Sequence, residues 1–115
     1  MSNLLAERPV TRAAVPDAMQ GRTLKLRWLE GPIRGESQEI RFHEDGTFGL
    51  SGHPASLRMP YSCFELAEEV QLVSLPSPAG YTLTMALNFN DRSTMGVATR
   101  ADGWEPVRGH IELLN

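Results

Sequence analysis

From residue 21 onward the chain alternates apolar and polar side chains at every second position, in short runs cut by glycine, proline and aspartate turns. That period belongs to β-strands with one buried face, because successive side chains of a strand point to opposite sides. Thr23 to Leu29 sets Leu24, Leu26 and Trp28 against Thr23, Lys25 and Arg27, and Gln38 to Glu44 sets Ile40 and Phe42 against Glu39, Arg41 and His43. Phe48 and Leu50 continue the pattern after the turn Glu44 to Thr47, whose Asp-Gly dipeptide suits a tight hairpin. Leu57 to Leu66 reads as a longer strand with Met59, Tyr61 and Cys63 on one face. Its Pro60 lacks a ladder donor and belongs at an edge, a bulge or a strand start. Val70 to Leu75, Tyr81 to Phe89, Arg92 to Arg100 and a final strand marked by Val107, Gly109, Ile111 and Leu113 complete the series.

Glu65 to Glu69 is too short for a stable helix, and no helix is long enough to cross over between parallel strands. Consecutive hairpins then require an antiparallel meander. The count of eight strands predicts an all-β fold, a small eight-stranded antiparallel up-and-down barrel over residues 18–115, with an open sandwich as the alternative. Closure into a barrel removes the unpaired edges that promote aggregation. Residues 1–17, with Pro9 and Pro16 and no sustained period, read as an N-terminal arm. Asp17 to Gln20 before Gly21 is expected to form one helical turn, acting as a plug or lid at one end of the fold.

Composition narrows the function classes. A chain of 115 residues has room for one domain, and its 41% apolar and 22% charged content is that of a globular protein. Eleven basic and fourteen acidic residues give a formal charge of −3 without the clustered positive charge that phosphate backbones require, which argues against nucleic acid. Cys63 is the single cysteine, so no intramolecular disulfide forms and a reducing compartment fits best. No apolar run approaches the roughly 20 residues needed to span a bilayer, and the first residues lack the apolar core of a signal peptide, so no membrane association and a cytoplasmic location are expected. Ten of the eleven basic residues are arginine, a skew consistent with a GC-rich bacterial genome.

The segment VQLVSLPSPAGYTLTMALNFNDRSTMGVATRADGWEPVRGHIEL carries a further signal. A strand closing in Val-Ser and a large residue, a short turn, a threonine-rich strand ending in Asn-Phe, then two more strands, resembles the small MoaF-like proteins. The resemblance covers about residues 21 to 114, opens on Gly21-Arg22-Thr23 and includes Tyr61 at the start of the middle strand. It implies a lipocalin-like, calycin-type barrel with a small apolar ligand. Where that family commonly has an aromatic after Val-Ser, this chain has Leu75, which reshapes the cavity. The family has no agreed reaction to transfer.

If the barrel holds a ligand, the inward faces nominate Trp28, Phe42, Phe48, Tyr61, Tyr81, Leu83 and Met85 as its walls, since pockets are mostly apolar with a few placed polar groups. The competing expectation is that these side chains simply fill the interior. An alternative function is a cofactor-independent enzyme, a cyclase, isomerase or lyase, with Tyr61, His110 and Arg108 doing acid-base or anion-stabilising work. Arg108, His110 and Glu112 share one face of the last strand, and the apolar residues between them mark the other face as core. His43, His53 and His110 have no ligand-pair spacing, so neither a metal nor a cofactor is expected. Strand faces bearing Trp104 with Thr82 or Thr84 suggest a homodimer across a two-fold axis, the commonest closed symmetry.

Overall fold

In the computed structural model, which describes residues 18–115, the alternating runs become nine strands: β1 (Thr23–Glu30), β2 (Ser37–Phe42), β3 (Thr47–Leu50), β4 (Met59–Pro60), β5 (Ser62–Ala67), β6 (Val70–Pro76), β7 (Thr82–Asn88), β8 (Ser93–Arg100) and β9 (Gly103–Leu113). Among the described residues there is no helix. Asp17 lies outside them, and Ala18 to Gly21 form a turn closed by the Arg22 amide donating to the Met19 carbonyl at 3.0 Å.

All ladders are antiparallel, and the strand order β4-β3-β2-β1-β9-β8-β7-β6-β5 places sequence neighbours side by side. The first and last strands pair directly, from Leu24 opposite Leu113 to Glu30 opposite Arg108, which rolls the meander into a nearly closed barrel. The two sheet edges, β4 and β5, are the halves of the single strand predicted over 57–66. They divide at Tyr61: β4 pairs with β3 and β5 with β6. Pro60 sits at this division, where its missing amide hydrogen costs no ladder bond. The barrel therefore has eight staves, one of them kinked.

The stagger of the strands sorts the loops into two ends. The lower end gathers the Ala18–Gly21 turn and the β2–β3, β5–β6 and β7–β8 turns with the close of β9, and the upper end gathers the other connections. Inside, sixteen buried apolar residues form one cluster, including Met19 from the lower-end turn. Two inward positions are glycine because the walls leave no room: a Cβ on Gly96 would fall on the Thr84 carbonyl oxygen and 2.6 Å from the Met85 Cα, and one on Gly109 would lie 2.5 Å from the Arg27 carbonyl oxygen.

Candidate functional site: the barrel interior and its lower mouth

Alternation along β1 aims Trp28 inward, and it is 2% exposed. Gly109 stands directly opposite on β9 and Thr94 beyond it on β8, so the indole lies beside two small neighbours. The Thr94 hydroxyl donates to the Ala86 carbonyl at 2.8 Å. The Trp28 Nε1 hydrogen has no acceptor among the described residues. A buried donor left unpaired forfeits its hydration, at a cost of about 1–3 kcal/mol, and such a group calls for an explanation.

The other nominated wall residues surround the same core. Phe42, Phe48, Tyr81, Leu83 and Met85 are buried in the cluster with Trp28, and Tyr61 packs against it half-buried. Phe42 and Tyr61 meet edge to face, with ring centroids 4.9 Å apart and planes at 75°. Such pairs add about 0.5–1.5 kcal/mol beyond their area. Tyr81 lies near the upper end with the Arg100 guanidinium 5.2 Å from its ring centroid, a cation–π contact. Leu24, Leu26, Ile40, Phe42, Val73, Met85 and Leu87 are fully buried, so the middle of the barrel is packed side chain on side chain.

Tyr61, Arg108 and His110 are not brought together. Val107, Gly109 and Ile111 take the inward positions of β9, so Arg108 and His110 stand on the outer face. There the Arg108 Nε donates to Glu30 Oε1 at 3.0 Å, in an ion pair with both side chains substantially exposed.

Two concavities open at the lower end. One, of about 330 Å³, has an apolar floor of Met19, Phe89 and Leu113 beside the buried Gln71, with Arg22, Glu65, Glu68 and Glu69 around its edge. The Gln71 Oε1 accepts from the Cys63 thiol at 3.5 Å, and the Arg22 Nε donates to the Asn115 carbonyl at 2.7 Å. Sequence reasoning missed this mouth; the clue was the run of glutamates at 65, 68 and 69 beside an inward-facing Gln71. The second, a groove of about 390 Å³, runs along the flank by Arg41, His43, Asp45 and Arg58. In it the Asp45 carboxylate accepts from the Thr47 hydroxyl at 2.6 Å and the Thr47 amide at 3.1 Å, and pairs with Arg58 at 3.3 Å. The Thr47 hydroxyl, then the Thr47 amide, hold the Asp45 carboxyl below its ordinary range, with Arg58 contributing less. Among the described residues no three His, Cys, Asp or Glu side chains come together as a metal-binding set.

No family model matches the chain, and a search of curated proteins likewise finds no match. Among solved structures the chain is similar to one from Burkholderia vietnamiensis described as a "putative beta-lactamase", with 14% identity, a TM-score of 0.67, and coverage of 88% of this chain and 100% of that one. The likeness is one of fold: an antiparallel barrel of the same architecture.

Proposed function

We propose that this protein is a small-molecule-binding barrel of the lipocalin-like, MoaF-like kind, acting in bacterial small-molecule metabolism in the cytoplasm. Its ligand is a largely apolar or amphipathic molecule bearing one hydrogen-bond acceptor. The observation that carries this reading is the buried Trp28 Nε1 hydrogen, which has no acceptor among the described residues. A ligand carbonyl, ether or carboxyl oxygen beside Gly109 would supply the hydrogen bond that the described residues leave unmade. The dense interior must give way to admit it, and Met85 and Met19 are the adaptable members, since unbranched thioether side chains change rotamer at small cost. Met19 lies at the lower mouth, which makes it a displaceable plug.

The enzyme alternative has less support, because Arg108 and His110 face away from the interior that holds Trp28. The description of the Burkholderia structure concerns that chain, and nothing in the interior of this one favours β-lactam hydrolysis over binding.

The test is a thermal-shift screen of apolar and amphipathic compounds, in which a ligand at 100 times its Kd adds about 2.7 kcal/mol of stability. Any hit is then followed through the Trp28 indole N–H by NMR in a Trp104→Phe background, which leaves a single indole. Binding should shift that resonance, and Trp28→Phe should weaken the hit about tenfold, the worth of one buried hydrogen bond. A hit indifferent to Trp28→Phe, or turnover of a chromogenic β-lactam, would sink the proposal.

A further inference from the structure

We infer that the outer wall made by β6, β7, β8 and the start of β9 is a self-association surface, and that its occupant is the same wall of a second copy of this chain. The two sides of the barrel differ in chemistry. On β1 and β2 the outward positions carry Lys25, Arg27, Glu39 and Arg41, the ordinary covering of a solvated sheet. On β6, β7 and β8 not one outward position is charged.

Register sharpens the contrast. Leu72, Ala86 and Met95 stand side by side across three strands, with Arg108 ending that row on β9, and the next row runs from Thr84 through Val97 to Pro106. Trp104 and Met95 are 68% and 61% exposed, in a chain with two tryptophans. A large aromatic and a methionine beside an uncharged face, with Arg108, Arg100 and Asp102 along its border, is the anatomy of a protein interface.

Three features select a second copy as the occupant. An uncharged wall meets itself without the like-charge repulsion that a self-docking charged wall would suffer. The border carries both signs at each end, Asp91 with Arg92 below and Arg100 with Asp102 above, so a two-fold axis can set opposite charges against each other in either strand direction. The area is also adequate. Three strands about 4.8 Å apart and about seven residues long, with the first four residues of β9, present about 400 Å² in projection. With side-chain relief, two such faces approach about 1,000 Å², the size a specific interface has to clear. Two sheets facing each other also pack well when their strands are roughly aligned. This inference stands apart from the ligand proposal, because the wall and the interior are opposite faces of the same strands.

Sedimentation velocity across about 1 to 500 µM, the range in which a modest interface assembles, reads the outcome directly. The expected result is a concentration-dependent rise from 12.7 kDa toward twice that mass. Met95→Lys and Val97→Glu, both outward-facing, should return the protein to monomer while Lys25→Glu on the opposite wall leaves the dimer intact. Fluorine NMR of 5-fluorotryptophan protein gives a readout that needs no variant to fold: the Trp104 signal should move with concentration and the Trp28 signal should not. A chain that stays monomeric throughout, or a dimer untouched by both wall variants, overturns the inference.

Discussion

At the residue scale the clearest local device is Asp45, whose side chain closes the β2–β3 turn on Thr47 while Gly46 takes a φ of +87°. Asp91 repeats it in the β7–β8 turn, accepting from the Ser93 hydroxyl at 2.6 Å and amide at 3.1 Å. At Asp45 these hydrogen bonds to the charged form lower the pKa, and there the Thr47 hydroxyl outweighs the Arg58 charge. A carboxyl depressed in the folded state contributes stability that is present above its unfolded pKa and lost as pH falls through its folded pKa. Thr47→Val keeps the backbone donor and removes the hydroxyl, so it should raise the Asp45 pKa part of the way to the ordinary value and weaken this acid dependence. Arg58→Ala should raise it less. Carbon-13 titration of the Asp45 carboxyl would give both values, and the reverse order would show that the ion pair, not the turn, holds the proton off.

At the element scale, two strands owe their course to single glycines. Gly96 faces Met85 across β7–β8, and the Thr84 carbonyl occupies the space its Cβ would need. Because the obstruction is backbone, no side-chain rotation relieves it. Gly96→Ala should therefore cost at least the upper end of the 1–3 kcal/mol typical of overpacking, about 3 kcal/mol. Gly35→Ala, in open space at a φ of +88°, should cost about 1 kcal/mol through conformation alone. Denaturant melts of the two variants check the ordering. Strand positions themselves were legible, because alternation reports burial directly: β1, β6, β7 and β8 begin and end close to where the pattern does. Two elements were not. The strand read over 57–66 changes partners at Tyr61, a fact of barrel stagger that no local pattern encodes. The last strand starts at Gly103, earlier than its apolar face suggested, because Trp104 and Pro106 point outward there and hide the period. The candidate site divides the same way. That Trp28 faces inward, and Arg108 and His110 outward, follows from parity along one strand. That the indole lacks an acceptor among the described residues depends on Gly109 and Thr94, contributed by strands far along the chain. The lower mouth draws Met19, Glu65, Phe89 and Leu113 from four separate segments, so only the closed fold reveals it.

At the scale of the whole molecule the barrel is unequally closed. The β1–β9 joint runs from Leu24 to Glu30 with one irregularity after Trp28 and ladders on both sides of each strand, and β7–β8 pairs without a break from Thr82 opposite Thr99 to Asn88 opposite Ser93. The stave from Met59 to Ala67 is different. Its β4 half makes two pairs with β3, one of them through Pro60, and its β5 half pairs with β6 through an irregularity between Glu65 and Ala67. Each half has a strand ladder on one side only, and every residue of β5 except Cys63 is exposed. Local opening follows such differences in pairing and burial. Amide hydrogen exchange should thus be fastest, among the strands, over residues 59–67 and slowest over β7–β8 and β1–β9. The same stave holds Tyr61 against Phe42 and Glu65 at the lower mouth, so under the proposed function its opening would give a ligand a route to the interior without unrolling the barrel. A saturating ligand found in the thermal screen should slow exchange at 59–67 and leave β7–β8 unchanged, since closure of the stave is what binding requires. Fastest exchange along β1–β9 instead would put the weak line where the first and last strands meet, and would move the ligand's route to that joint.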